Sequence, residues 1–349
     1  MSEKAGAAAA EVIASGQVGQ GRKVEEFERA LADRIGHPRL ATVNSGGDEE
    51  GEVLSTPLTM EATNWTILAN RMRIRWVDVD PATLNVDLDD LARKISPATR
   101  AIMVVHFAGY PVDLVRLSEI LDQAEATYGT RPVVIEDCAH AWGATYRGAP
   151  LGNHGNISVF SFQAVKHLTC GDGGAVVLPD DELCRRARLL RWFGIDRTGP
   201  DRLRNPPDVE EWGYKFHLTD LNAAIGLANL EHVDEVLRRH RDNAAFYDRR
   251  LAGVPGLRLT ERAADRESSF WIYPMMVEDR DAFIKRMDEA GIMVSQVHKR
   301  NDEHSCVREY RSLLPGVDHV DSRLVCVPVG SWVSEEDRQH VADTILAGW

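Results

Sequence analysis

Apolar residues in the first half of the chain recur with helical spacing in some segments and in short continuous runs in others. The segment VEEFERALADRI (24–35) has apolar residues three or four positions apart, and Gly36 follows where a helix C-cap is expected. The segment 113–128 repeats this pattern behind Asp113, a natural N-cap. Between such segments lie four β-rich runs: EVLST, RIRWVDV, AIMVVH and VVIED. This alternation predicts an α/β fold, with a mostly parallel sheet flanked by helices on both faces.

The second half of the chain predicts a change of architecture. Residues 194–213 are rich in Gly, Pro and charge, which is typical of a long surface loop. The segment 218–251 predicts one or two long helices, and after it strand-like runs alternate with helices, the last of them opened by Ser334. A chain of 349 residues exceeds the usual size of a single core. We therefore predict a large domain with an N-terminal arm over 1–235 and a smaller C-terminal α+β domain over 236–349.

The composition argues against several classes of protein. The net charge of −13 disfavours a nucleic-acid binder, because phosphate backbones select basic surfaces. No apolar run approaches the roughly 20 residues that span a bilayer. The run AGAAAA is interrupted by Glu11, unlike a signal peptide. The five cysteines include no C-x-x-C pair, which is typical of reduced thiols, so we expect a cytoplasmic protein.

A lysine occupies an unusual place in SVFSFQAVKHLTCGDGG (158–174). The residues before it predict a buried strand: Ile157, Val159, Phe160 and Phe162. A glycine-rich turn and a second strand, AVVL, follow Lys166, and a lysine this close to buried surface loses much of its hydration. The earlier strand VVIED ends in Glu136 and Asp137, and parallel sheets bind ligands at the carboxyl ends of their strands.

Lys166 could therefore hold a carbonyl cofactor, because a partly desolvated lysine can form a Schiff base. If the cofactor is pyridoxal phosphate, its ring nitrogen needs a carboxylate, its phosphate needs hydroxyl or backbone N–H donors, and its phenolic oxygen needs a donor. Asp137, Ser161 and His140 could supply these groups in that order. Each residue also has a purely structural interpretation: a snorkelling lysine, a turn-capping aspartate and a core histidine. Their combination favours the cofactor.

The same segments carry a family resemblance. IEDCAHAWGATYRG and LGNHGNISVFSFQAVKHLTCGDGGAVV resemble the central signature of the DegT/DnrJ/StrS family of sugar aminotransferases. The similarity extends from SGQVGQGRKVEEFE, through DVDPATLNVDLDDL and VVHFAGYPVDL, to GYKFHLTDLNAAIGLANL. The resemblance implies a pyridoxal phosphate-dependent enzyme with fold type I, the fold of the aspartate aminotransferase superfamily.

The resemblance also implies roles for individual residues. Lys166 is implied to bind the cofactor covalently and to shuttle the reacting proton, and Asp137 to pair with the pyridinium nitrogen. His140 is implied to lie near the ring oxygen, where the family more often has Gln. The residues implied to bind the cofactor phosphate are Ser161, Ser45 and Gly46.

Two positions depart from the family pattern. Met60 stands where the family has an aromatic residue that stacks on the cofactor ring, and a thioether can also lie on a ring face. Lys215, in GYKFH, stands where many relatives have an Asn that reaches the phosphate of the neighbouring subunit. Lys215 can bind that phosphate as a point charge or can be a solvated surface residue. The resemblance thus implies a homodimer with shared active sites.

The implied reaction is two half-transaminations that move an amino group from a donor, glutamate, to a keto sugar. The family's substrates are mostly nucleotide-linked 3- or 4-keto-6-deoxy sugars, used in polysaccharide, glycan or antibiotic-sugar biosynthesis. In the C-terminal segment SQVHKRNDEHS, His298 and Arg300 are candidate sugar contacts. We expect no metal site, since His304 and Cys306 are only two ligands.

The segment ATVNSGGDEEGEVLSTPLT supports a second hypothesis: a catalytically impaired homologue that acts as a structural or regulatory partner. Relatives have S-G-T or S-G-S, then a helix, and only later G-D-E-V-I, whereas here Ser45-Gly46 run directly into Gly47. Eight residues, 44–51, separate LATV from EVLST, and a parallel crossover needs about a dozen or more. We predict that one of these strands is lost, displaced or paired differently. The helix whose N-terminus would bind the cofactor phosphate is then absent.

Overall fold

The computed structural model describes residues 1–16, 18–42, 51–197 and 208–349. Within these ranges the chain forms eleven α-helices: α1 Glu3–Ser15, α2 Arg22–Ile35, α3 Glu61–Ala69, α4 Leu88–Lys94, α5 Leu114–Tyr128, α6 Asp181–Leu190, α7 Asp220–Leu230, α8 Val233–Arg250, α9 Arg280–Glu289, α10 Pro315–Asp321 and α11 Glu335–Leu346. Short 3₁₀ helices occur at Phe107–Gly109, Asn301–Glu303 and Ser305–Tyr310.

The same ranges contain thirteen β-strands: β1 Leu40–Thr42, β2 Glu52–Ser55, β3 Arg73–Trp76, β4 Thr99–Val105, β5 Val133–Asp137, β6 Thr145–Tyr146, β7 Ala149–Pro150, β8 Ile157–Ser161, β9 Gly174–Val177, β10 Leu257–Leu259, β11 Arg266–Glu267, β12 Tyr273–Val277 and β13 Leu324–Val327. Seven of them form the main sheet in the order β1-β9-β8-β5-β4-β2-β3. Two three-stranded sheets have the orders β10-β12-β13 and β11-β6-β7.

The main sheet is mostly parallel, which confirms the predicted α/β class. Strands β3, β2, β4, β5 and β8 pair in parallel, and β9 and β1 complete one edge through antiparallel pairs. Helices cover the sheet as predicted: α2 buries Val24, Phe27, Leu31 and Ile35, and Gly36 caps it in the left-handed conformation with φ of 75°. The final helix begins with a capping box between Ser334 and Asp337.

Strand β8 is less buried than predicted, because Ile157 is only half-buried and Val159 is exposed. Ser158 and Phe160 are buried, whereas Val159 is 38% exposed although β8 lies between two other strands. Successive side chains of a strand point to opposite faces, so Val159 belongs to the face that also carries its ladder partners Asp137 and Val176. This face of the sheet is only partly covered around β8, while strands of a parallel sheet are usually buried on both faces.

The strands on either side of the short connection are both present, so neither is lost. They lie in one sheet with four strands between them: β1 pairs with β9 at one edge, and β2 pairs with β3 and β4 near the other. The connection itself, residues 43–50, lies outside the described residues. The possibility that one strand is displaced or paired differently from its relatives stays a prediction.

Three hydrophobic cores hold the molecule together. The first packs α2, α5 and α7 on one face of the main sheet. The third is formed by residues 244–349, from α8 to the C-terminus, around the β10-β12-β13 sheet. The second combines Leu58 and Trp76 with C-terminal residues such as Val317 and Leu324. Because this core draws on both halves of the chain, the boundary between residues 235 and 236 stays a prediction.

Further sequence predictions can be compared with the described residues. The segment 218–251 forms two helices, α7 and α8, and the predicted loop 194–213 has no helix or strand in its described parts. All five cysteines are free thiols. None of the helices in the described ranges has the length and apolar character needed to cross a membrane.

Candidate active site

The site lies at the carboxyl ends of neighbouring parallel strands. In the ladder, Val105 of β4 is opposite Asp137 of β5, which is opposite Val159 of β8, so these strands end at a common edge. Asp137 is the last residue of β5 and Ser161 is the last residue of β8. The topology therefore brings together residues that the sequence separates by more than twenty positions, at the edge where such sheets bind ligands.

Asp137 is held by two hydrogen bonds. The Ala139 N–H donates to Oδ1 at 2.9 Å, and the Thr63 hydroxyl donates to Oδ2 at 2.6 Å. Because the single Thr63 proton goes to the carboxylate, the buried Thr59 hydroxyl donates in turn to Thr63, at 2.9 Å. Each carboxylate oxygen keeps a free lone pair, so the oriented carboxylate can still accept a hydrogen bond from a ligand.

The Lys166 amine lies in the turn between β8 and β9. Its Nζ is 3.7 Å from the centroid of the Trp271 ring. Burial lowers the pKa of Lys166 from 10.5 to about 8, against the opposing influence of the Asp137 carboxylate, which raises it. A lysine with this pKa has a substantial neutral fraction near pH 8, as a nucleophilic amine requires.

The turn that carries Lys166 is fixed by hydrogen bonds to its backbone carbonyls. The Phe162 N–H donates to the Gly173 carbonyl at 2.8 Å, and the Asn222 amide of α7 donates to the Cys170 and Asp172 carbonyls at 2.9 and 3.0 Å. Gly173 has φ of 154°, and a Cβ there would lie 2.6 Å from Leu218 Cδ1. A side chain at Gly173, the second glycine of G-D-G-G, would therefore prevent the close packing of this turn.

His140 is buried among aromatic rings. Its ring is stacked on Trp271, with centroids 4.0 Å apart, and its Nε2 is 3.3 Å from His298 Nε2. Burial, with a smaller contribution from Lys166, lowers the pKa of His140 well below 6.5 and that of His298 to about 4. Both imidazoles are therefore neutral near pH 7. Within the described part of the chain, His140 Nδ1 has no hydrogen-bond partner.

Sequence reasoning missed two residues of this site. Trp271 precedes β12, and its indole N–H donates to the Val165 carbonyl at 2.9 Å, so it joins the C-terminal region to the lysine turn. Its signal was an aromatic residue placed just before a buried strand, which is also common in ordinary cores. Thr63 was signalled by the spacing of Thr59 and Thr63, four positions apart at the start of α3.

The remaining predicted cofactor residues occupy different environments. Met60, at the N-cap of α3, is 49% exposed. Ser161 is half-buried, and its hydroxyl accepts the Gln163 N–H at 3.4 Å. Lys215 is exposed on a segment whose backbone pairs with Trp192. Two predicted phosphate ligands lie outside the described residues: Ser45 and Gly46.

Arg300 does not have the free guanidinium that a sugar contact requires. It is buried and donates two hydrogen bonds to the Asp302 carboxylate, at 2.8 and 2.7 Å, and a further one to Asp318. A bidentate pair of this kind fills the planar donor edge of arginine. The geometry therefore favours a structural role for Arg300.

Three potential metal ligands lie close together around the end of β5: His106, Glu136 and Cys138. Their ligand atoms are already used. His106 Nε2 lies 2.8 Å from Glu136 Oε2, and His106 Nδ1 accepts the Val112 N–H at 3.0 Å. Burial raises the pKa of the Cys138 thiol well above 9, so it stays protonated. The arrangement is a buried hydrogen-bonded pair that ties the end of β4 to β5.

The residues present fit pyridoxal phosphate. Lys166 offers an amine of lowered pKa, and Asp137 offers an oriented carboxylate. These are the groups that the aldehyde and the ring nitrogen of the cofactor require.

The chain was compared with known proteins. A model of the DegT/DnrJ/EryC1/StrS aminotransferase family matches residues 1–346. The structure of AtS13 from Actinomadura melliaura is 62% identical with a TM-score of 0.96, over 100% of this chain and 96% of AtS13. The sugar aminotransferase CalS13 from Micromonospora echinospora is 57% identical with a TM-score of 0.96, over 100% and 98% of the two chains. The dTDP-4-dehydro-2,3,6-trideoxy-D-glucose 4-aminotransferase of Saccharopolyspora spinosa is 30% identical over 96% of this chain and 91% of that protein.

Proposed function

Because this chain belongs to the DegT/DnrJ/EryC1/StrS aminotransferase family, we propose that it transfers an amino group from glutamate to a keto sugar carried on a nucleotide. The chain is a pyridoxal phosphate-dependent aminotransferase of sugar or antibiotic biosynthesis. The name of the Saccharopolyspora spinosa relative describes a dTDP-linked 4-keto deoxysugar, which supports a substrate of this class.

One observation carries the proposal: a lysine amine with a pKa of about 8 lies close to an oriented carboxylate at the ligand-binding edge of the sheet. A lysine at the surface would keep its ordinary pKa, whereas burial lowers the pKa of this amine. A transamination site needs this pair. The lysine must change between a free amine and a cofactor-bound form, and the carboxylate must stabilise the positive charge on the cofactor ring nitrogen.

Pyridoxal phosphate, when bound, supplies a ring that stabilises negative charge on the substrate carbon. Asp137 would accept a hydrogen bond from the ring nitrogen through the lone pairs that Thr63 and Ala139 leave free. Lys166 would hold the cofactor and, when released, move a proton at Nζ. The side chains proposed to contact the remaining parts of the cofactor are His140, Met60, Ser161, Ser45 and Gly46.

The two predicted sugar contacts differ in how free their side chains are. The Arg300 guanidinium is bound to Asp302 and Asp318, so Arg300 is not proposed as a sugar contact. His298 stays in the site, but its nearest polar partner is His140.

We further propose an isologous homodimer with two shared sites. Lys215 is exposed and belongs to the segment that follows the loop 194–213, so it is free to reach a second subunit. Exposed apolar side chains near this segment also favour an interface: Phe193 at 44% and Trp212 at 64% exposure. The cytoplasmic location inferred from the cysteines stays a prediction.

The second candidate function, an impaired homologue acting as a partner, has one structural feature in its favour. The side chain of Val159, in a strand inside the sheet, is 38% exposed, which leaves apolar surface that a partner could contact. The intact arrangement of Lys166, Asp137 and Thr63 favours catalysis, because an inactive homologue has no need for it.

The test is to incubate the purified chain with pyridoxal phosphate, glutamate and a dTDP-linked 4-keto-6-deoxyhexose. We expect mass spectrometry to detect both the amino sugar nucleotide and 2-oxoglutarate. Formation of neither product, with cofactor verified on Lys166, would reject glutamate and this sugar nucleotide as the substrate pair, and failure with every donor and keto sugar offered would favour the partner role. Replacing glutamate by glutamine or aspartate in parallel reactions identifies the donor.

A further inference from the structure

The backbone around Lys166 is held on both sides of the lysine. The Trp271 indole N–H donates to the Val165 carbonyl at 2.9 Å, and His167 Nε2–H donates to the Ser269 carbonyl at 2.9 Å. Both partners belong to the short connection between β11 and β12. The residue before Lys166 and the residue after it are therefore bound to one segment, and that segment also places the Trp271 ring against the lysine amine.

Three successive carbonyls of this connection, those of residues 268–270, each accept a hydrogen bond from a side chain. Arg241 Nε donates to the first at 3.2 Å, His167 to the second, and His240 Nδ1–H to the third at 2.7 Å. Arg241 and His240 both belong to α8. Buried backbone outside a helix or sheet needs such partners. The connection is thus bound to α8 as well as to the lysine turn.

The acceptors fix the proton on each histidine ring. A backbone carbonyl can only accept a hydrogen bond, so the proton lies on Nε2 of His167 and on Nδ1 of His240. Both side chains are buried, and burial lowers the pKa of each ring below 6.5, so both are neutral near pH 7. Replacing His167 by a neutral residue therefore removes a hydrogen-bond donor but no charge beside Lys166.

The connection has an unfavourable backbone conformation at the residue that His240 binds. Phe270 has φ of 52°, in the left-handed region that a bulky aromatic residue rarely adopts. Such a conformation persists where the surrounding structure fixes it. The hydrogen bond from His240 to the Phe270 carbonyl contributes to this, directly before Trp271.

We propose that His167 and His240 are positioning residues for Lys166: His167 binds the lysine turn to the β11–β12 connection, and His240 holds that connection on α8, so that the Trp271 ring stays over the amine. The proposal rests on the assignment of Lys166 as the cofactor-binding lysine and does not depend on which sugar accepts the amino group. Neither histidine was among the site residues predicted from the sequence.

The test uses substitutions that keep or shift the donor atom. Counted in bonds from Cβ, the amide nitrogen of glutamine stands where histidine has Nε2, and that of asparagine stands where histidine has Nδ1. His167→Gln and His240→Asn therefore keep the donor, whereas His167→Asn and His240→Gln shift it. Glutamine is closer to histidine in volume, so a role in packing alone would favour glutamine at both positions.

The readout is reductive methylation of Lys166 in the apo-protein, measured by peptide mass spectrometry over a range of pH. The wild-type midpoint is expected near pH 8, because burial lowers the Lys166 pKa to about 8. Shifting either donor should release the turn and admit water to the amine, which raises the midpoint by at least about half a pH unit toward 10.5. His167→Gln and His240→Asn should keep the wild-type midpoint.

The control is His340→Phe, because His340 Nε2 also donates to a backbone carbonyl, that of Ala290, at 3.0 Å. Its Lys166 methylation should match that of the wild type. In the cofactor-loaded enzyme, the two donor-shifting variants should lower kcat at least roughly tenfold, since a small misplacement of a reacting group is costly, with a smaller change in the KM of the amino donor.

A wild-type midpoint in both donor-shifting variants would overturn the proposal. So would a better result with glutamine than with asparagine at both histidines, because that order indicates packing alone. If a variant does not fold, as judged by circular dichroism, the pair at the other histidine decides. Borohydride reduction that fixes the cofactor to a different residue would reject the assignment of Lys166, whereas the methylation midpoints would still decide whether the two histidines position its amine.

Discussion

Lys166 and Trp271 are in direct contact, with the lysine Nζ 3.7 Å from the centroid of the indole ring. The ring face attracts the ammonium form, as the Asp137 carboxylate does, whereas burial favours the neutral amine. The balance of these influences leaves a pKa of about 8, which makes the amine usable near neutral pH. Residues 105 positions apart in sequence thus tune the reactivity of the site together.

The first prediction concerns the pH dependence of Lys166. In the apo-protein, its reductive methylation should be half-maximal near pH 8, because only the neutral amine reacts and its pKa is about 8. Trp271→Leu removes the ring that favours the ammonium, so the midpoint should move to lower pH. Peptide mass spectrometry separates Lys166 from the other six lysines of the chain.

Trp349→Leu serves as the control, because that indole donates instead to the Glu278 carbonyl and packs on Phe283. In Trp349→Leu, the pH at which Lys166 methylation is half-maximal should match that of the wild type. A Lys166 midpoint near 10.5 in the unmodified protein would contradict the desolvated environment described above.

The second prediction is that Lys166→Ala abolishes covalent cofactor binding without unfolding the protein. The variant should have no yellow chromophore that borohydride can reduce, because no other amine takes its place in the site. Lys166→Arg should fail too, since a guanidinium stays protonated at working pH. A reducible chromophore retained in either variant, measured by visible spectroscopy, would assign the cofactor to another residue.

Asp137→Asn should separate cofactor binding from turnover. The amide keeps the shape of the side chain and still meets Thr63 and Ala139, but it lacks the negative charge that keeps the cofactor ring protonated. We expect kcat to fall at least roughly a hundredfold with a modest change in cofactor affinity, the pattern of an interaction used in the transition state. Thr63→Val should produce a smaller fall, because it only loosens the carboxylate. Unchanged turnover in Asp137→Asn counts against the assigned role.

A fourth prediction tests the shared site. Chains carrying Lys166→Ala and chains carrying Lys215→Ala should each be inactive as homodimers. After subunit exchange, the mixed dimer contains one site with both native lysines, so activity should return to about half per dimer at most. Each variant mixed with itself is the control. Absence of recovery after exchange has been verified by mass spectrometry argues that the site lies within one subunit.

The last prediction follows from the short connection between β1 and β2. The sequence predicts that this connection has no helix N-terminus beside the phosphate, so several donors would be missing, each worth about 1.5–3 kcal/mol to a charged group. We expect the chain to purify with little pyridoxal phosphate and to have feeble transaminase activity. Insertion of a relative's S-G-T segment and its helix after β1 should restore binding.

Absorbance after gel filtration measures the bound cofactor. Stoichiometric cofactor in the unmodified chain would mean that other residues already bind the phosphate. An insertion of the same length without the S-G-T residues is the control, since it restores the length of the connection but not the phosphate ligands.

Much of the fold was predictable because its signals are local. The apolar spacing of α2, the N-cap of α5 and the short runs of β3, β4 and β5 each lie within a few neighbouring residues. The burial of Val159 was predicted wrongly, since burial depends on what covers each face of the sheet and not on the apolar character of the residue.

The sequence by itself determined the chemistry of the site: the amine of Lys166, the carboxylate of Asp137 and the family to which the chain belongs. Only the tertiary structure decided which distant residues act on them. It brought Trp271 onto Lys166 and His298 onto His140, and it bound Arg300 to Asp302 instead of leaving it free. Chain spacing predicts contacts within an element, whereas the Lys166–Trp271 and His140–His298 contacts arise from the packing of elements more than a hundred residues apart, which no local pattern encodes.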